Sequence, residues 1–192
     1  MIIGVLALQG DFIEHQHVIE SLSVESRQVR VAEDLDDLQG LIIPGGESTT
    51  IGKLARDFNL IEPLRSFARD HAVWGTCAGS IFLSKDARRD QPLLELMDIH
   101  VERNAFGRQV DSFEIDLDIP ELNQLSGNNA PFHAVFIRAP LIEKVKNDVR
   151  ILASLPDGRI VAARQGCWLA TSFHPELGSD DRFHRYFLEM AK

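Results

Sequence analysis

The stretch Val73-Trp74-Gly75-Thr76-Cys77-Ala78-Gly79 decides how the chain is read. Residues 73–76 form a short apolar run, as in a strand covered on both faces, and a helical pattern over 78–85 begins with no intervening loop. Cys77 therefore occupies a tight strand-to-helix turn between small neighbours, the setting of a nucleophile elbow. The flanking glycines allow the chain to bend sharply and a substrate to come close. The helix that follows aims its first amides at the sulfur, which favours thiolate. A lone cysteine is more often a small buried hydrophobe. The G-x-C-x-G setting turns the reading toward chemistry.

Working outward, residues 2–8 and 40–43 are continuous apolar runs expected as buried strands, with a weak strand at 29–31 between them. Phe12, Gln16, Ile19 and Leu22 recur at helical spacing, as do Ile61, Leu64, Phe67 and Ala68. Ser48 is a suitable N-cap for a helix after Pro44-Gly45-Gly46. Beyond the elbow the pattern becomes strand-rich, at 99–102, 111–117, 134–138, 149–153, 160–164 and 168–173. Pro156-Asp157-Gly158 marks a hairpin turn. Phe183, Tyr186, Phe187 and Met190 form the apolar face of a closing helix. The expectation is a three-layer α/β fold, a mainly parallel central sheet flanked by helices, with an antiparallel extension. No repeat or linker divides the chain, so residues 1–192 are expected to form a single domain.

The chain has 192 residues, of which 44% are apolar and 26% charged, the make-up of an ordinary globular protein. Twenty basic against 29 acidic residues give a net charge of −9, which argues against nucleic acid and anionic membrane as partners. No apolar run is long enough to span a membrane. Two cysteines, Cys77 and Cys167, are too few for a disulfide framework and suit a reducing compartment, so a cytoplasmic location is expected.

A thiolate needs a base, and the base needs orienting. Phe173-His174-Pro175-Glu176 supplies both. Pro175 biases His174 toward extended backbone, where residues i and i+2 share a side, so Glu176 is expected to bond one ring nitrogen and leave the other for sulfur. Pro44-Gly45-Gly46-Glu47-Ser48-Thr49-Thr50 follows a buried strand. Its glycines can present backbone N–H groups as an oxyanion hole, and Glu47 can receive an ammonium. No P-loop or dinucleotide fingerprint is present. Glu14-His15-Gln16-His17 invites a metal reading, but histidines two apart point to different faces of a helix. His71, His100, His133 and His184 have no ligand-like spacing and read as surface or structural. Cys167 reads as packing, and residues 33–37 as a solvated acidic helix face.

Together the G-x-C-x-G elbow and the H-P-E ending resemble the class I triad glutamine amidotransferases. A closer resemblance spans nearly the whole chain. It runs through Gly4-Val5-Leu6-Ala7-Leu8-Gln9-Gly10, the Pro44 loop, the elbow, Val101-Glu102-Arg103-Asn104-Ala105-Phe106-Gly107-Arg108-Gln109, Phe136-Ile137-Arg138-Ala139-Pro140 and the H-P-E-L end. These segments look like the glutaminase subunit of pyridoxal 5'-phosphate synthase. The resemblance implies Cys77 as nucleophile, His174 as base and acid, and Glu176 as orienting carboxylate. It implies glutamine contacts at Gly46, Glu47, Ser48, Arg103, Ile137 and Arg138, and an oxyanion hole from Gly46 and Ala78. Gln9, at the end of the first strand, is a candidate contact to a partner. The implied partner is the synthase subunit, which takes the ammonia; no cofactor or metal is implied. Two other readings are a stand-alone cysteine hydrolase of γ-glutamyl substrates and a non-catalytic module. The V-E-R-N-x-F-G-R-Q and F-I-R-A-P segments argue against the first, and the intact triad against the second.

Overall fold

The computed structural model describes residues 1–103, 112–127 and 129–192. The first half alternates strand and helix: β1 (Ile2–Leu6), α1 (Phe12–Ser21), β2 (Glu25–Val29), β3 (Gly40–Ile43), α2 (Ser48–Asp57), α3 (Ile61–Asp70), β4 (Ala72–Thr76) and α4 (Ala78–Leu83). The second half adds β5 (Ser84–Asp86), β6 (Met97–Glu102), β7 (Ser112–Leu117), α5 (Pro120–Ser126), β8 (Phe132–Ile137) and β9 (Leu141–Val145). It closes with β10 (Arg150–Ser154), β11 (Ile160–Gln165), β12 (Trp168–Thr171) and α6 (Arg182–Met190).

The main sheet runs β2-β1-β3-β4-β12-β11-β9-β6-β5, with β10 paired to β11. From β2 to β12 all neighbours are parallel; β12 to β11, β11 to β9 and β9 to β6 are antiparallel. A separate antiparallel pair, β7–β8, packs beside it. The parallel centre with an antiparallel extension is the expected architecture.

The apolar runs are continuous because alternate side chains enter two different cores. Ile3, Val5, Ile42 and Trp74 face a cluster with Ile19 of α1 and Phe183 and Phe187 of α6. Leu6, Leu41, Ile43 and Val73 face the other, with Ile51, Leu64, Phe67 and Phe82 from α2, α3 and α4. Such burial is worth about 2 kcal/mol for each large side chain. Phe183 meets Phe132 and Phe173 edge-on, with centroids 4.9 and 5.3 Å apart. That aromatic nest anchors the residue just before His174.

Local differences from the sequence reading have physical causes. The second strand lies at Glu25–Val29, not 29–31. It is the sheet's edge and among the described residues pairs only with β1, so its Ser26, Arg27 and Gln28 carry no buried-strand pattern. The elbow helix stops at Leu83, not at residue 85. Ser84 Oγ bonds back to the Ile81 carbonyl at 2.7 Å, and the chain leaves to pair with β6. Strand β5 and helix α5 are too short to announce themselves, and β9 carries Glu143 and Lys144 in place of an apolar run. The acidic stretch forms a 3-10 turn at Ala32–Leu35 whose Leu35 is buried. The Pro156-Asp157-Gly158 hairpin is present, with Gly158 at φ +88°. Asp111, in the expected strand over 111–117, lies outside the described residues. Among the described residues no helix is long and apolar enough to cross a membrane.

Candidate active site

Four adjacent parallel strands, β1, β3, β4 and β12, end at one edge, the usual place for a ligand in an open α/β sheet. Gln9, Gly10 and Asp11 follow β1, the Pro44 to Ser48 loop follows β3, Cys77 caps β4 and His174 follows β12. Together they border a cavity of about 490 Å³.

Cys77 adopts φ 46° and ψ −109°, a conformation costly for a non-glycine residue. Its N–H donates to the Thr171 carbonyl at 2.8 Å, tying the elbow to β12. Both motif glycines are needed for space. A Cβ on Gly75 would lie 2.5 Å from the Gly79 backbone, and one on Gly79 would lie 2.0 Å from the Ile43 carbonyl oxygen. The helix α4 thus packs directly against β3 and β4, and this holds Cys77 and the Ala78 N–H at the cavity floor. As a first-turn amide, Ala78 N–H has no intrahelical acceptor.

His174 Nδ1 lies 2.7 Å from Glu176 Oε1. The contact was expected, but its local cause is different. Pro175–Leu177 forms a 3-10 turn rather than an extended segment, and the turn folds Glu176 back under the ring. The backbone N–H of His174 donates to Val135 of β8 at 2.9 Å. Burial works against a charge on the His174 ring, but hydrogen bonds to Cys77 and Glu176, and the charges of both, raise its pKa to about 10. Burial raises the Glu176 carboxyl above its ordinary range, against the pull of the His174 hydrogen bond and charge. Asp11 Oδ2 lies 3.5 Å from the same Nδ1. Asp11, His174 and Glu176 bring ligand-type atoms within 4.8 Å of one another, but Nδ1 is committed to Glu176, so the trio suits acid–base work better than a metal.

The remaining expected residues, Gly46, Glu47, Ser48, Ala78, Arg103, Ile137, Arg138 and Gln9, all line the same cavity. Arg138 is exposed at φ +43°. The Ile137 carbonyl lies 3.9 Å from Cys77 Sγ. Gln9 Oε1 accepts the Glu47 N–H at 2.6 Å, and Gly46 between them sits at φ +149°, where a Cβ would strike that side chain. Asn104 to Gln109, the rest of the V-E-R-N-x-F-G-R-Q segment, lie outside the described residues.

One local expectation is corrected: Glu47, not Ser48, is the N-cap of α2. Its carboxylate accepts from the N–H groups of Thr49 and Thr50 and from Thr50 Oγ1, and pairs with Arg103 at 2.7 Å. Burial opposes its charge, but the hydrogen bonds from Thr50 and Thr49, then the Arg103 charge, bring its pKa down to about 2. A depressed carboxyl stabilises the fold above its unfolded value of 4.5, and that contribution is lost as pH falls toward 2. Glu47→Ala is expected to cost about 1 kcal/mol at neutral pH through the lost cap. The exposed ion pair adds little. The difference from wild type should shrink across that acid window, which urea midpoints at several pH values would read.

Two residues behind Glu176 have surroundings that the sequence reading missed. His15, read only as half of an improbable metal pair, is fully buried, 3.3 Å from Glu176 Oε2 and 3.1 Å from Thr76 Oγ1. His184, read as surface or structural, is also fully buried and meets His15 at 3.0 Å. A signal existed for His15: it falls between Phe12 and Ile19 on the apolar stripe of α1, where a polar residue needs a buried partner.

A family model for the SNO glutamine amidotransferase family matches residues 5–192. The chain belongs to that family. A relative in Herpetosiphon aurantiacus, described as pyridoxal 5'-phosphate synthase subunit PdxT, is 58% identical over 98% of this chain and 99% of its own. A Dehalococcoides mccartyi protein of the same description is 57% identical over 100% of this chain and 98% of its own. A crystal structure of a glutamine amidotransferase superposes with a TM-score of 0.92 at 49% identity, covering 100% and 99% of the two chains. The fold is that of the class I glutamine amidotransferases. It extends to a Thermoplasma acidophilum protein described as a GMP synthase subunit, with a TM-score of 0.70 at 18% identity, which speaks to fold alone.

Proposed function

We propose that this chain is the glutaminase subunit of a pyridoxal 5'-phosphate synthase, hydrolysing L-glutamine to L-glutamate and passing the ammonia to a synthase subunit. The observation that carries the reading is the strained Cys77 elbow beside a His174 ring bonded to Glu176. Membership of an amidotransferase family supports it.

The chemistry follows from the geometry. The Cys77 thiolate attacks the side-chain amide carbon of glutamine, and the carbonyl oxygen takes up the charge. The Ala78 N–H and an amide of the Gly46 loop stabilise that oxyanion. The His174 imidazolium donates its proton to the departing nitrogen, the C–N bond breaks, and ammonia and a glutamyl thioester remain. Acylation consumes the thiolate, and with it the hydrogen bond and charge that helped to raise the His174 pKa. The ring then has a lower proton affinity and can take a proton from the attacking water. Thioester cleavage releases glutamate and regenerates the cysteine. Arg103 and Arg138 suit the substrate α-carboxylate and Glu47 its ammonium, the Glu47–Arg103 pair opening to receive them. Gly46, Ser48 and Ile137 complete the amino-acid pocket.

Ammonia lost to water would be protonated, so hydrolysis is expected to depend on docking of the synthase subunit, with Gln9 at the face that meets it. The Glu47 N–H held by Gln9 and the left-handed Gly46 support a loop that reorients on docking. The single 1–192 domain would act in the reducing cytoplasm, where its free cysteines persist. The chain alone is expected to turn over glutamine slowly and to gain rate when the synthase subunit is added, as read by glutamate release. Heavy nitrogen from the glutamine side chain should enter pyridoxal phosphate. Fast, partner-independent hydrolysis of γ-glutamyl peptides would instead identify a stand-alone hydrolase.

A further inference from the structure

Behind the triad lies a second file of buried imidazoles that the reaction above leaves unused. His15 in α1 and His184 in α6 have no solvent exposure. His15 Nδ1 is 3.0 Å from His184 Nε2, and its Nε2 is 3.1 Å from Thr76 Oγ1 and 3.3 Å from Glu176 Oε2. Glu176 Oε1 carries the contact to His174. Among the described residues Oε2 is buried without a hydrogen bond of its own, the His15 nitrogen standing close to it but off the hydrogen-bond direction. Trp74 meets both imidazoles edge-on, with centroids 5.7 and 5.0 Å away, and fixes their planes.

Burial, then the repulsion that a charge on His15 would meet from charges at His184 and His174, holds His15 well below the ordinary imidazole value. Burial brings His184 down to about 3, against the pull of Asp181. Two neutral rings share one N–H across their 3.0 Å contact. If His15 donated it, the His15 Nε2 lone pair would face the Glu176 carboxylate, and His184 Nδ1 would carry a buried N–H with no acceptor. If His184 donates it, His15 Nε2–H faces Thr76 and Glu176, and only a bare lone pair is left at His184 Nδ1. A buried orphan donor is rarer and costlier than an orphan acceptor, so the second arrangement prevails.

We infer that His15 is a positioning residue for the triad: its Nε2–H, set by His184 and directed at Thr76 Oγ1, stands 3.3 Å from the second oxygen of Glu176 and by that proximity steadies the carboxylate that orients His174. This rests on the Cys77–His174–Glu176 reading above. A carboxylate gripped at one oxygen by His174 and faced at the other by a donor cannot rotate without losing both. The charged groups around it are His174 from its own turn, Asp11 from the start of α1, which touches His174, and Asp181, which acts on His184.

The test uses the full chain and a readout independent of glutamine. Iodoacetamide alkylation of Cys77 is followed at its own peptide by mass spectrometry across pH, beside glutamine hydrolysis with the synthase subunit. His15→Leu removes the donor; His15→Gln keeps an N–H at the same reach. Without the donor, ionised Glu176 is less stable and takes up a proton at higher pH. The acid limb of alkylation should therefore move up by about one pH unit in His15→Leu. The kcat for glutamine should fall about tenfold to hundredfold, with KM changed by less than about twofold. His15→Gln should recover most of both. An unmoved limb in His15→Leu overturns the inference, as does a parallel fall of the Leu and Gln variants that tracks lost stability in urea. Should His15→Leu not fold, His184→Leu reads the same file one step out, and an unmoved limb there overturns it equally. If wild type alkylates normally but does not hydrolyse glutamine, the glutaminase reading fails while the limb still decides the role of His15.

Discussion

Cys77→Ala is expected to lower glutamine turnover by at least about 10⁴-fold, because among the described residues that line the cavity Cys77 alone carries a thiol to form the thioester. Synthesis from added ammonium by the assembled complex should survive, since the lost step only generates ammonia. The fold should be little affected. Cys77 is buried, but removing its sulfur leaves a small void worth about 1 kcal/mol. The pair of assays separates chemistry from architecture. Loss of glutamine-driven synthesis alone supports the thioester route, whereas loss of ammonium-driven synthesis as well would make Cys77 a structural residue.

Gly79→Ala is expected to be the most damaging single methyl in the chain's elbow. The added carbon would stand 2.0 Å from the Ile43 carbonyl oxygen and 2.8 Å from its carbon, both backbone atoms that cannot rotate away. Helix α4 would have to lift off β3, at a cost of about 3 kcal/mol or more. Whatever still folds should be nearly inactive, because a displacement of about 1 Å in the nucleophile or oxyanion donor costs about 100-fold in rate. Gly178→Ala is the control. It sits at φ −93°, where nothing comes nearer than 3.9 Å, and should change stability by less than about 0.5 kcal/mol. Urea midpoints and turnover numbers of the two variants decide it; equal losses would mean the elbow is not as tightly packed as described.

What could be read along the chain depended on how local its cause was. The Gly75 to Gly79 elbow, the β1, β3 and β4 core strands and the amphipathic stripe of α6 are set by residues a few positions apart, and they stand where the pattern put them. The edge strand β2 is legible only as a weak strand displaced to 29–31, because half-exposed strands lack an apolar signature. The cap of α2 shifted from Ser48 to Glu47 because a glutamate can reach the same two amides, which propensity alone ranks below serine. The His174–Glu176 contact was legible although its expected backbone was not, since either an extended segment or a 3-10 turn brings the two groups together.

The sequence by itself determined the layered parallel sheet and the position of the Cys77 thiol at a strand end, because side-chain periodicity and turn chemistry act over short spans, and it offered His174 and Glu176 as candidates to serve that thiol. Only the tertiary structure decided that α1 lays His15 against Glu176, that Gln9 grips the Glu47 amide, and that the second motif glycine is reserved for the Ile43 carbonyl. Those contacts join segments brought together by the sheet's crossover connections. They are fixed by close packing between layers, and no local pattern of residue types encodes which distant atom will fill the gap.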